Sequence, residues 1–406
     1  MSKYIKLANS LTDSWNKCDY RDLKESLVVD AQKSLMKFKR INNKEYKDNY
    51  IQVIDLFCGA GGTSLGFAAI NEILPVFRFL GGCDINAVSA STYSYNFDTP
   101  LLNDNVVEFA YSHEKLNKTL ERIGYDKNKP LILIGCAPCQ GFSSHRKKDW
   151  DKKDDSRNSL IIAFSKIVEE INPDVILMEN VPEFLSDKYW EYFSAAKQNF
   201  ERAGYLVKQN IYNAASFGVP QRRKRYVVVG VRKDLNRKYI KPSVSTTKIT
   251  VRDAIGYLPV PPEDGKDHIN YPLHRRDKLS DLNIKRINAL KEGQGRDDLP
   301  KELLANCHKI GSDIIGYRNV YGRMAWDDVA PTITARFDSF TRGKFGHPDQ
   351  PRSISLREGA LLQTFPEDFD FVGSKVDIAR QIGNAVPPVL AEAIGKSIVA
   401  TYEGEF

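Results

Sequence analysis

The chain has 406 residues, 42% of them apolar and 27% charged, the balance of an ordinary water-soluble protein with room for about two or three domains. No window approaches the apolar length of a membrane span. The N-terminal MSKYIKLANSLTDSW lacks the apolar core of a signal peptide, so a cytoplasmic, nucleoid-associated protein is expected. The net charge of +7 is uneven: about +6 falls in 231–350 and about +4 in 1–50. That distribution fits a polyanion partner, and equally a basic surface that binds nothing.

Residues 1–50 read as a polar helical extension. VVDAQKSLMKFKRI, Val28 to Ile41, has helical apolar spacing with basic residues among it, as in a docked helix or a DNA-contacting arm. From Ile51 short apolar runs alternate with helical stretches. IQVIDLF (51–57), FLGGCD (79–84), LILIG (131–135), DVILMEN (174–180) and RYVVVGV (225–231) predict strands. TSLGFAAINEI, INAVSASTYSYNF, SLIIAFSKIVEEI and YWEYFSAAKQNFERAG between them predict helices. This is an α/β pattern: a doubly wound, mostly parallel sheet with helices on both faces and a ligand at the C-terminal strand ends. Residues 232–350 are richer in Pro, Gly, Lys and Arg, without that rhythm, and read as a smaller irregular domain. Helical texture returns in SLREGALLQTF and ARQIGNAVPPVLAEAIGKSIVATY. No repeat or low-complexity tract is present.

DLFCGAGGTSLGF, Asp55 to Phe67, is a strand, a glycine turn and a helix start. Glycines allow close ligand approach, and helix N-terminal amides favour anionic groups. The P-loop lysine is missing, so a nucleotide-like ligand fits and triphosphate hydrolysis does not; a tight structural turn is the alternative. Asp84 in GGCDIN stands where a carboxylate accepts ribose hydroxyls. Ile85 beside it could pack on an adenine face, and Asp104 could accept from an adenine amino group. All three could also be ordinary strand-end residues.

The six cysteines are Cys18, Cys58, Cys83, Cys136, Cys139 and Cys307. They are sparse and without repeated spacing, which suits free thiols in a reducing compartment. In LILIGCAPCQGFSSHR, Cys136 and Cys139 lack the second ligand pair of a zinc site. A redox CxxC normally opens a helix; here a proline precedes Cys139 and a loop follows. One nucleophilic thiolate, Cys139, fits best, with Cys136 as a packing residue. Glu179 and Asn180 end another apolar strand, and Glu179 is a candidate proton donor on the same rim, or a solvated strand-end acid. In VPQRRKRYVVVG, strand alternation puts Arg223 and Arg225 on one face, where they could bind an anion or a polar base edge. A plain surface charge run is the alternative.

These segments, in this order, resemble the cytosine-C5 DNA methyltransferases over roughly 51–230 and 325–400. DLFCGAGG, Asp84, GCAPCQGFS, ENV, QRRKR, RSISLREGALLQTFP and RQIGNAVPP carry the resemblance. Amino-methylating DNA enzymes have an Asp/Asn/Ser-Pro-Pro-aromatic motif where this chain has Ala-Pro-Cys-Gln. The resemblance implies a Rossmann-like catalytic domain over 51–230 and a target-recognition domain over 231–350. It implies a C-terminal segment, 351–406, that returns to the catalytic domain. S-adenosylmethionine is the implied methyl donor, with no metal. Asp55, Phe57, Gly59, Gly61, Asp84, Ile85, Asp104, Pro138, Asn384 and Val386 would line its site. Asp84 is shorter than the family's usual Glu, and Ile85 replaces a frequent aromatic.

The resemblance further implies that Cys139 attacks C6 of a flipped-out cytosine in double-stranded DNA. Glu179, beside Asn180, would engage N3, and Arg225, with Arg223 to a lesser degree, would hold the base carbonyl and the catalytic loop. Ser143, Ser144, His145, Arg146 and Arg157 would approach the DNA backbone, with Gln221, Thr332, Thr334, Arg336 and His347 as further contacts. A monomer on DNA and a separately encoded restriction endonuclease as cognate partner complete this reading. A tRNA methyltransferase of the same fold and an inactive DNA-binding homologue are the competing readings. The Cys-Phe-Thr signature of the RNA-acting branch is absent, and both the nucleophile and the ENV acid, which inactive homologues typically lose, are present.

Overall fold

The computed structural model describes residues 50–72, 75–137, 159–185, 187–237, 239–245, 247–305 and 320–403. The expected helical extension over 1–50 lies outside these, apart from Tyr50. Six strands form one sheet: β1 (Ile51–Leu56), β2 (Phe77–Cys83), β3 (Leu131–Gly135), β4 (Val175–Asn180), β5 (Tyr205–Asn213) and β6 (Lys224–Arg232). Their order is β2-β1-β3-β4-β6-β5. The β1–β2, β1–β3 and β3–β4 pairs are parallel, and β6 runs antiparallel to both β4 and β5. The chain leaves β1 for β2 on one side and returns to β3 on the other. That reversal opens a crevice beyond the C-terminal ends of β1 and β3, where open α/β sheets bind ligands.

Strand alternation sorts the core into two layers. Ile51, Val53, Ile132, Ile134, Val175, Leu177, Val227 and Val229 enter one buried cluster. Ile54, Leu56, Leu131, Leu133, Ile176, Met178, Tyr226 and Val228 enter the other. Burial on both faces requires helices on both sides. The first layer is covered by α1 (Gly62–Asn71) and α2 (Ala87–Phe97), the second by α3 (Val106–Tyr111), α4 (His113–Arg122), α5 (Ser159–Ile171) and α6 (Asp187–Arg202).

Two features differ from the sequence expectation. Strand β5 was not among the expected strands: it is the sheet edge, largely solvent-facing, so YLVKQNIYN shows no apolar run. Helices α3 and α4 were also missed. Only Leu116 of HEKLNKTLER is buried, which leaves little apolar periodicity to read.

Among described residues, 231–350 supplies two short helices, α7 (Val251–Ile255) and α8 (Asp281–Asn288), 3₁₀ turns and isolated bridges. Its Val251, Ile255, Met324, Ile333 and Phe337 join the first sheet layer, while Ile287, Leu290, Leu299 and Phe340 form a separate small cluster. The chain ends with α9 (Leu356–Leu362), α10 (Lys375–Asn384) and α11 (Pro388–Glu403). Ser355 and Glu358 make a capping box at α9, and Arg352 binds the Glu358 carboxylate through two 2.7 Å bonds.

Helix α11 lies directly on α1. A Cβ at Gly66 would strike the Pro388 carbonyl, the Glu392 amide and Ala391. These are mostly backbone atoms, so they cannot yield as a side chain would. Gly66→Ala should therefore destabilise the fold by about 1–3 kcal/mol despite its better helix propensity. A Gly66→Ala protein melting with the wild type would contradict this packing.

Candidate active site

The turn after β1 is unusual. Phe57 adopts φ 60°, a left-handed conformation rare for a non-glycine residue. Gly59 (φ 54°) and Gly61 (φ 87°) follow, and a side chain at Gly61 would meet the Phe97 and Tyr93 rings. Asp84, just past β2, braces the turn: its Oδ2 accepts the Gly59 N–H at 3.0 Å and its Oδ1 the Asn86 N–H at 2.8 Å. Burial raises the Asp84 pKa, and those two bonds oppose the shift. Each oxygen keeps a second lone pair, which fits ribose hydroxyls. Ile85 beside it is 72% exposed, open to a flat apolar surface. Phe57 is half-buried against the second sheet layer.

Other expected cofactor residues are placed as follows. Asp55 is buried at the end of β1 and accepts from the Ser64 hydroxyl at 2.7 Å. Asp104 holds Lys115 at 3.0 Å and Arg122 at 3.4 Å, so both its oxygens are engaged within the chain. Asn384 is exposed at the end of α10, and the Val386 carbonyl stands where a Gly62 Cβ would be. The GNAV segment thus closes against the start of α1.

A second cluster lies at the ends of β3 and β4. Glu179 pairs with the Arg225 guanidinium from β6, across the antiparallel β4–β6 ladder, and both side chains are nearly buried. Burial pushes the Glu179 pKa up, while Arg225 first and Arg223 second pull it down. Asn180 accepts the Val181 N–H at 2.9 Å; its buried amide nitrogen has no partner among described residues. The Cys136 sulfur lies 3.5 Å from the Thr63 hydroxyl. Burial, then the Glu179 and Asp55 charges, drive its thiol well above the usual range. It is thus a poor thiolate and a poor nucleophile. Pro138, Cys139, Ser143, Ser144, His145, Arg146 and Arg157 lie outside the described residues.

Several candidates turn inward instead. Gln221 is fully buried; its amide donates to the Leu362 carbonyl and Gln363, and accepts the Ile333 N–H. It is not at a surface that DNA could reach. Arg223 is 1% exposed and donates to the Ile333 and Gly383 carbonyls at 2.8 and 3.0 Å. It ties the start of β6 to two distant segments rather than presenting a fork to a base. His347 is buried between Asp349, Glu358 and Trp326, and burial lowers its pKa to about 4. A neutral buried imidazole makes no phosphate contact. Thr332 donates its hydroxyl to the Arg222 carbonyl, Thr334 is half-buried, and Arg336 is exposed beside Asp338. Sequence reasoning missed Thr63 and Ser64, whose hydroxyls at the start of α1 were the available signal, and Tyr93, which had none.

A glycine turn at a topological switch point, braced by a carboxylate, defines an α/β fold of the nucleoside-cofactor-binding class. The carboxyl–guanidinium pair one strand beyond β3 adds an acid at the same rim. A sequence model of the C-5 cytosine-specific DNA methylase family matches residues 51–400. The Type II methylase M.HgiDII of Herpetosiphon aurantiacus is 39% identical over 357 residues, covering 87% of this chain and 96% of that protein. The Type II methyltransferase M1.HphI of Haemophilus parahaemolyticus is 33% identical over 363 residues, covering 87% of each. A solved E. coli prophage structure, named as a DNA modification methyltransferase, superposes with a TM-score of 0.66 at 26% identity. That match covers 87% of this chain and all of the other. The chain belongs to the C-5 cytosine-specific DNA methylase family and is a DNA cytosine-C5 methyltransferase. Membership implies S-adenosylmethionine as methyl donor and DNA as substrate.

Proposed function

We propose that the enzyme methylates C5 of a cytosine flipped out of duplex DNA, through a covalent bond between Cys139 and C6. The Glu179–Arg225 pair is the observation that carries this reading. It sets a nearly buried acid, held by a guanidinium from β6, on the strand next to β3, whose C-terminal end leads into GCAPCQGFS. Cytosine C5 is a weak nucleophile. Attack of the Cys139 thiolate at C6 converts the ring to an enamine, while Glu179 donates to N3 and neutralises the charge developing there. Arg225 holds Glu179 and can reach toward the base carbonyl. S-adenosylmethionine, when bound, supplies an electrophilic methyl group. Loss of the C5 proton to water and β-elimination then release Cys139.

The cofactor would be held by Asp84 at the ribose and by Phe57 and Ile85 at the adenine. Gly59, Gly61 and the backbones of Pro138 and Val386 would contact the remainder. The residues present fit it: Asp84 has lone pairs free, and the exposed Ile85 lies beside it. Residues 231–350 would act as target-recognition domain, with Thr332, Thr334 and Arg336 and the 143–146 and 157 positions near DNA. Phosphate contacts there would position the duplex, and base edges would specify it. A monomer on DNA, and a restriction endonuclease as cellular counterpart, follow from the same reading.

Incubation with labelled S-adenosylmethionine and either duplex DNA or tRNA tests the substrate. Label is expected in DNA, and label in tRNA alone would overturn it. Cys136→Ala should retain transfer within about twofold, since a thiol held neutral by burial contributes packing only. Severe loss of rate in a stably folded Cys136→Ala protein would give that thiol a chemical role.

A further inference from the structure

Beneath the glycine turn lies a carboxylate with no cation paired to it among the described residues. Asp55 is 1% exposed. Its Oδ2 accepts the Ser64 hydroxyl, which in turn accepts the Tyr93 hydroxyl at 3.0 Å. Its Oδ1 is buried and receives no hydrogen bond among described residues. The titratable groups facing it are Asp84 past β2, Cys58 in the turn, Tyr93 on α2 and Cys136 past β3. All are acidic or neutral, and no described lysine or arginine pairs with Asp55. Burial first, and the Asp84 charge after it, hold the Asp55 carboxyl up at about 7 against the Ser64 bond.

Buried carboxylates are ordinarily paired with a cation or kept protonated. This acidic set stretches from Asp84, the proposed ribose end, to Cys136, beside the proposed chemistry, and among the described residues it lacks one positive charge. The methyl donor carries such a charge on its sulfonium. The product left after transfer is a neutral thioether with the same adenosine, ammonium and carboxylate. We infer that Asp55 is the counter-charge by which this enzyme prefers the sulfonium donor to its thioether product. The inference rests on the cofactor reading above. No bond to carbon or sulfur changes. Where Asp55 is protonated in the free enzyme, donor binding releases that proton to solvent and product binding does not.

The test is equilibrium titration of the whole protein with S-adenosylmethionine and, separately, S-adenosylhomocysteine between pH 6 and 8.5. Donor affinity should strengthen about tenfold as Asp55 ionises, with product affinity moving less than about twofold. Calorimetry in two buffers of different ionisation enthalpy should show proton release with the donor alone. Asp55→Asn should weaken donor binding about tenfold at pH 8, spare the product and flatten the pH dependence. Ser64→Ala serves if that variant does not fold. By removing the bond that favours the ionised form, it should move the donor-binding midpoint to higher pH. Equal weakening of donor and product in Asp55→Asn, or a donor-to-product ratio unchanged by pH, would overturn the inference. A wild-type chain that binds neither ligand would overturn the cofactor reading itself, and the inference with it.

Discussion

Cys139→Ser should abolish methyl transfer to duplex DNA, with a loss of about 10⁴-fold or more, as when the nucleophile of a covalent mechanism is removed. A serine hydroxyl ionises far above neutral pH and supplies almost no alkoxide, whereas a thiolate forms within reach of neutral pH. The described thiols offer no substitute. Cys58 and Cys136 are both driven well above the usual thiol range by burial, with nearby carboxylates adding to it, and Cys83 is pushed up to about 12. The measurement is transfer of labelled methyl, joined to trapping on duplex DNA carrying 5-fluorocytosine. Fluorine blocks the final elimination, so the wild type should accumulate a covalent complex and Cys139→Ser none. A trapped complex that persists in Cys139→Ser would place the nucleophile elsewhere.

The second large effect is expected from Glu179→Gln. A glutamine keeps the shape and can donate a hydrogen bond, but it transfers no proton. A loss of about 10²–10⁴-fold in turnover is the range for a positioned acid. Burial raises the Glu179 pKa, with Arg225 opposing. An acid works while protonated, so the wild-type rate should fall as pH rises through that raised pKa, and Glu179→Gln should lack this decline. The variant also leaves the nearly buried Arg225 without a counter-charge, a source of instability in its own right. Thermal melting therefore has to accompany the kinetics. A folded Glu179→Gln protein with full turnover and an unchanged pH profile would remove Glu179 from the chemistry.

Features carried by local pattern were legible in the sequence. The apolar runs located five of the strands, the glycines located the turn, Glu179 was readable as a strand-end acid, and Arg225 as a guanidinium that could bind an anion; their pairing was not. What stayed hidden depended on distant partners. Gln221 and Arg223 read as surface residues of a charged run. Their burial is set by Ile333, Leu362 and Gly383, more than a hundred residues away. His347 resembled a cationic contact until Glu358 and Trp326 enclosed it. The reversed direction of β6 has no local signature either, since a strand's own residues do not record which way its neighbour runs.

The close seating of α11 on α1 bears on when this enzyme becomes competent during synthesis. The glycine turn is made early, yet its helix has Gly62 and Gly66 facing a surface completed only by Val386, Pro388 and Glu392. Contacts that span most of a chain close last, after the greatest loss of loop entropy. A growing polypeptide therefore carries the helix behind the glycine turn uncovered until the ribosome has released Pro388–Glu403. A protein cut short before that helix should keep its six strands with one apolar face uncovered, and be inert and prone to aggregate.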